Sequence, residues 1–297
     1  MVVVAMVMNR CDSLLLQKMR LVKLRTVLSA VRETSTSSTD KKRSSNIVTI
    51  RASDVAAVLG RNNFKKYDVV FDEMWKRHCP GTFVGQTKDE KALEAVENCS
   101  PEEKMLLAVA ASYQAVDAVD ARVQLAQAEK VIVASVTMSS TDKDTVLEHI
   151  KSKVYTAHGI RAESKTADLI EEKEGILLKV DTNFYNYPIC KIEGIKYQIS
   201  GKVDRIEQIG EDVVIIEIKN RMKRLFRMVP DYEFIQVQTY MQIVPLNVQR
   251  TKVIQQYQDE TNTIIVERDD NLWKEEILPL LTQFCTDFHK STTQSLD

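Results

Sequence analysis

GKVDRIEQIGEDVVIIEIK, residues 201–219, reads as two strands joined by a tight turn. Apolar residues bracket Gly210-Glu211, a glycine-first pair suited to a type II′ hairpin. Counting outward from that pair, Asp204 falls opposite Glu217. Opposed positions of an antiparallel pair hold their Cβ atoms about 4.5–5.5 Å apart on one face. Lys219, two residues beyond Glu217, shares that face. Two carboxylates and an ammonium therefore stand together on strands whose Val-Val-Ile-Ile run demands burial. Isolated charge in such a place costs several kcal/mol, roughly, unless it is paired or holds a metal. Two structures satisfy these residues: an Asp–Lys–Glu ion cluster at a sheet end, or carboxylates holding a hard divalent cation.

Neighbouring residues favour the cation. Gln236-Val-Gln-Thr-Tyr240 places Gln236 and Tyr240 at i,i+4 on one helix face, with Gln238 pointing elsewhere in a regular helix. Upstream, Gly159-x-x-x-Glu163 opens a predicted helix, about residues 158–173, with another acid. This order of parts (helix Glu, strand Asp, strand Glu-x-Lys, Gln/Tyr helix) resembles the PD-(D/E)XK nuclease superfamily. It is most similar to the lambda-exonuclease and YqaJ-type viral recombinase branch, with RecB-type nucleases as neighbours. Ala52-Ser-Asp-Val-Ala-Ala-Val-Leu-Gly60, followed by Asn63-Phe64 and Trp75, is similar to the N-terminal block of the YqaJ type.

The resemblance implies an α/β fold: a PD-(D/E)XK, restriction-endonuclease-like core whose mixed central sheet is flanked by the helices of Glu163 and Gln236. It implies a Mg²⁺-dependent phosphodiesterase, with Mn²⁺ able to replace Mg²⁺. Asp204 and Glu217 are then direct ligands, the Ile218 carbonyl is a third oxygen, and Glu163 binds directly or through water. Lys219 orients or deprotonates the attacking water, its pKa lowered by the cation, and Gln236 and Tyr240 hold DNA or the lysine. The three carboxylates are expected to converge within roughly 4–7 Å of one another around one ion. If Glu163 lies on the far side of the sheet, Glu171 and Glu172 are the acids to examine instead. Double-stranded DNA ends are the implied substrate and 5′-to-3′ resection the implied activity. A single-strand annealing protein is a candidate partner, and a homo-oligomer a candidate assembly. An endonuclease, an RNA-degrading enzyme and a non-catalytic assembly subunit share the fold and remain alternatives.

DNA contacts are assigned to Ser53, Arg51, Arg161, Arg221, Lys223, Arg224 and Arg227. Ser53 reads as the cap of a helix stopped by Gly60, and a helix N-terminus seats phosphate. The family places an arginine about seven residues before that serine; here the position is Asn46, with Arg43 or Arg51 as substitutes. The run after Lys219 carries Arg221, Lys223, Arg224 and Arg227 with no acid. Such a run offsets repulsion between DNA and the carboxylates, or is simply solvated.

The 297 residues carry a net charge of −1, so nucleic-acid contact must come from local patches. Five scattered cysteines form no C-x-x-C pair, which argues against a zinc site, a disulfide framework or an iron–sulfur cluster and points to a reducing compartment. Nucleus and cytoplasm both qualify. No apolar run is long enough to span a bilayer, and no membrane partner is expected. No glycine-rich phosphate loop occurs, which argues against an ATPase.

Residues 1–46 read as a basic helix (14–31) and a Ser/Thr-rich linker (34–45), or alternatively as an organelle transit peptide. The nuclease domain spans residues 47–290, with an acidic helical insertion at 85–130 and a tail at 291–297. Ser100-Pro-Glu-Glu103 is a capping box inside that insertion. Residues 131–138 read as a strand and 141–154 as a separate helix. Residues 176–180 and 187–192 read as strands, as do 252–257 and 264–268, paired across Asp259–Asn262. Residues 271–289 form a helix burying Leu272, Trp273, Ile277, Leu280, Leu281 and Phe284.

Overall fold

The chain divides into Met1–Ser45 and Asn46–Asp297, and the computed structural model describes residues 46–210 and 212–294. The basic helix, the linker, Arg43 and the last three residues of the tail lie outside the described residues.

The described part is a mixed α/β body with two mixed sheets. In chain order it begins with β1 (Ile47–Arg51), a 3₁₀ turn (Ala52–Asp54) and α1 (Val55–Val58). Five helices follow: α2 (Tyr67–His78), α3 (Lys88–Glu97), α4 (Pro101–Ala111), α5 (Ala118–Ala134) and α6 (Ser140–Glu174). Then come β2 (Lys179–Val180), β3 (Tyr185–Ile192), β4 (Ile195–Gly201), β5 (Arg205–Ile209) and β6 (Asp212–Asn220). The chain closes with α7 (Asp231–Ile243), β7 (Val248–Tyr257), β8 (Glu260–Glu267) and α8 (Leu278–Gln294).

The hairpin has the expected register. Ile209 pairs with Asp212 and Arg205 with Ile216, and Gly210 turns at φ 63°, a left-handed conformation open to glycine. The ladder stops one step short of Asp204. Instead of one central sheet there are two: β1-β4-β3, which the chain leaves at Gly201, and β2-β5-β6-β7-β8, which it joins at Arg205. Asp204 sits in the bend between them.

Alternation along β6 sends its residues to two cores. Val213 and Ile215 pack with Ile235, Val237 and Met241 of α7 and Phe284 of α8. Val214, Ile216 and Ile218 face Ala167 and Ile170 of α6. By the same period, Glu217 and Lys219 lie on the α7 side. Gly201 is where the layers come closest. A Cβ there would lie 2.7 Å from Ala52 Cβ and 2.8 Å from Ile243 Cδ1. Gly201→Ala is expected to destabilise by about 1–3 kcal/mol, measured by denaturant unfolding.

Four expectations are corrected. The two predicted helices around residues 141–173 are one helix, α6, capped by Ser139 and ended by Gly175 at φ 66°. Its first half (Val146, Ile150, Val154) completes the core of the helical insertion, and its second half covers the sheet. One helix therefore serves two cores, and the insertion body extends beyond residue 130. Residues 131–138, read as a strand, form none: 131–134 finish α5, because Ile132 belongs to that same helical core. In the C-terminal helix a wide π turn at Trp273–Ile277 resets the phase. Trp273, Ile277, Leu281 and Phe284 are buried, whereas Leu280 is exposed. The β7–β8 turn is also tighter than expected, with Tyr257 pairing directly with Glu260. The capping box at Ser100 and Glu103 is formed.

Candidate active site

β5 ends before Asp204, and the side chain continues the ladder that the backbone abandons. Asp204 Oδ2 accepts the Ile218 N–H at 2.9 Å. N–H and C=O of one strand residue point to the same edge, so the Ile218 carbonyl also faces the gap that β5 vacates. Glu217 is buried. Its Oε1 accepts from Lys219 Nζ at 2.7 Å, while its Oε2 is buried without a hydrogen-bond partner among the described residues. Lys219 Nζ also donates to Gln236 Oε1 at 3.3 Å, and Gln236 Nε2 donates to Tyr240 Oη at 2.8 Å. Glu217, Lys219, Gln236 and Tyr240 thus form one chain from strand to helix. Gln238 points elsewhere, bonding the Glu267 carbonyl and the Asp269 N–H.

The electrostatics are those of carboxylates crowded together. Burial raises the pKa of Asp204, the Ile218 N–H opposes it, and the charge of Glu163 adds to the rise. Glu217 is pushed up to about 7 by burial and then by Asp204. Burial draws the Lys219 ammonium down, but Glu217 and Glu233 outweigh it, so Lys219 is held above the usual lysine range and is charged. The lowered pKa expected for Lys219 presupposed a cation beside it. Burial, followed by the charge of Glu217, keeps Tyr240 protonated.

An orphaned carboxylate oxygen, a second carboxylate and a main-chain carbonyl are all hard oxygen donors. They suit Mg²⁺, which keeps several waters when bound by one or two carboxylates. Among the described residues, no three His, Cys, Asp or Glu side chains form a metal-holding group. Glu163 rides on α6, and its charge raises the Asp204 pKa. Neither named substitute does better. Glu171 Oε1 caps the Leu178 N–H at 2.6 Å, and Glu172 is exposed on the same helix.

The residues assigned to DNA divide. Lys223, Arg224 and Arg227 are exposed on the loop after β6. Arg221 is not: it is buried, forks onto both oxygens of Glu233, donates to Gln255 Oε1 at 2.7 Å and lies over the Phe226 ring. Arg161 Nη1 binds the Ala115 carbonyl at 2.7 Å, tying α6 to the insertion. Ser53 is exposed within the 3₁₀ turn and caps nothing. The turn is set instead by burial of Ala52 and Val55 and by inward-facing Asp54, whose Oδ1 takes Lys65 at 2.8 Å. Arg51 is exposed at the end of β1.

Sequence reasoning missed Glu233, which holds Arg221 and acts on Lys219. An acid in the first turn of a helix looks like an ordinary dipole partner, and nothing local marks it as buried. Arg205 was missed as well: it is buried beside Asp204, its Nε without a partner among the described residues. An open cavity of about 690 Å³ beside β8 shares only Arg227 with the assigned residues.

No family model matches the chain, and no curated protein matches it. Among solved structures it is similar to one titled "Crystal structure of SSO0001", at 12% identity and a TM-score of 0.40, covering 90% of this chain and 86% of that one. At that score the likeness bears no weight on the site. Among the described residues, no helix is long and apolar enough to cross a membrane.

Proposed function

We propose that this chain is a Mg²⁺-dependent deoxyribonuclease of the PD-(D/E)XK type, acting on duplex DNA ends. The observation that carries this reading is the buried, unpartnered Oε2 of Glu217 beside Asp204, with Lys219 tied to the same carboxylate. An unanswered buried carboxylate oxygen costs about 1–3 kcal/mol, and a cation bound beside Asp204 offsets that cost.

When bound, Mg²⁺ neutralises phosphoryl charge and lowers the pKa of a coordinated water. Asp204, Glu217 and the Ile218 carbonyl would hold it, and Glu163 would act through water. Lys219 Nζ, charged and aimed by Glu217 and Gln236, donates a hydrogen bond that orients the attacking water and opposes charge on the phosphoryl oxygens. Gln236 and Tyr240 fix that ammonium. Lys223, Arg224 and Arg227 face solvent beyond β6 and supply contacts to the phosphate backbone.

The test incubates the full chain with end-labelled linear, nicked and closed circular duplex, with Mg²⁺ or EDTA. Linear ends are expected to be degraded only with Mg²⁺, and closed circles spared. Rapid cutting of closed circles would make the enzyme an endonuclease, and no cleavage of any substrate would leave a non-catalytic binding subunit. Replacing Lys223, Arg224 and Arg227 together by alanine is expected to weaken duplex binding and reduce its salt slope by about 0.9 for each lost contact. A salt titration of binding measures this, and an unchanged slope removes these residues from the interface.

A further inference from the structure

Phe64 is 77% exposed, yet the loop that presents it is firmly built. Asn62 Oδ1 accepts from the N–H groups of Phe64 and Lys65, at 2.8 and 3.1 Å. Lys65 Nζ then bridges Asp54 and Glu73, at 2.8 Å each. On the other flank, Arg61 pairs with Asp231, at the start of α7, and with Glu276. A slack loop exposes a ring by chance; this one is pinned on both sides, with the ring left outside.

The ring meets Tyr232 edge-on, centroids 5.4 Å apart at 84°. An edge-to-face pair leaves at least one flat face of Phe64 uncovered by Tyr232. Tyr232, Gln236 and Tyr240 recur at i, i+4 and i+8 along one face of α7, and Gln236 bonds Lys219. Phe64 therefore stands at the outer end of the side-chain row whose inner end is the candidate active site. Exposed Lys66 follows two residues later in the same loop.

We propose that Phe64 is a stacking platform for an unpaired nucleobase entering that site, an inference that rests on the nuclease reading above. A flat, uncharged π face beside a cation fits a base attached to a phosphate, and stacking of this kind tolerates any base.

The test uses the full chain in EDTA, a single-stranded DNA oligonucleotide containing 2-aminopurine, and a blunt duplex. Wild type and Phe64→Trp are expected to quench 2-aminopurine fluorescence. Phe64→Ala loses the quenching and binds the single strand roughly ten-fold more weakly, with blunt-duplex affinity unchanged. Phe64→Leu keeps apolar bulk against Tyr232 and should behave like Phe64→Ala. Wild-type quenching and affinity in Phe64→Ala or Phe64→Leu would overturn the stacking role while leaving the nuclease reading standing. Unchanged DNA binding with altered self-association in sedimentation would assign Phe64 to a protein contact instead. If wild type binds neither DNA, the nuclease reading fails and the stacking role fails with it.

Discussion

Asp204→Asn is expected to lower cleavage of linear duplex DNA by about 10³-fold, since metal stabilisation of phosphoryl charge is worth several kcal/mol at 1.36 kcal/mol per tenfold. The amide oxygen can still accept the Ile218 N–H that Asp204 Oδ2 accepts at 2.9 Å, so the bend between the sheets should survive. What is lost is the charge. Lys219→Ala is expected to cost about 10²–10⁴-fold, the range for a positioned proton-handling group, with DNA binding still measurable. The two differ in a second readout. Mg²⁺ should raise the melting temperature of wild type and Lys219→Ala, but much less that of Asp204→Asn, because a ligand stabilises only the state that binds it. Full cleavage by Lys219→Ala would remove it from its assigned role. Full cleavage by Asp204→Asn would remove the candidate site altogether.

The parts legible in the sequence are those decided locally. Gly210, the two apolar runs and the period of two suffice to place Asp204, Glu217 and Lys219, because hairpin register follows from its turn. The i,i+4 spacing of Gln236 and Tyr240 sends both to one face of α7, and the structure brings Gln236 to Lys219. What was not legible depends on partners distant in sequence. Arg221 reads as part of a basic loop, and only Glu233 and Gln255 reveal it as buried. Ser53 has the composition of a cap, but the helix behind it is four residues long and the local backbone obeys the core. The break that periodicity suggests near residue 155 is the point where α6 exchanges the insertion core for the sheet core. A change of buried face along one helix resembles two helices to any local reading.

Glu233→Ala is expected to be the most destabilising single change near the site, by about 3–5 kcal/mol, the usual result of leaving a buried charge unpaired. Arg221 then keeps Gln255 and the Phe226 ring but loses both carboxylate oxygens, and Tyr232 loses its acceptor at 3.0 Å. The melting temperature should fall by roughly 6–20 °C, at 2–4 °C per kcal/mol for a domain of this size. The damage should spread along the loop. Gln255 accepts from both the Arg221 Nε and the Phe226 N–H and donates to the Phe226 carbonyl at 2.9 Å, so Arg221 and the loop carrying Lys223, Arg224 and Arg227 share one anchor. The control is the pair Arg221→Met with Glu233→Leu, which removes both charges and should recover much of the loss, because apolar residues of similar volume often replace a buried pair without destabilising. If the double variant is as unstable as Glu233→Ala alone, the pair contributes through its hydrogen bonds to Tyr232 and Gln255 rather than through mutual neutralisation. Recovered stability with weaker DNA binding would show that the ion pair shapes the basic loop, a role separable from holding the fold together.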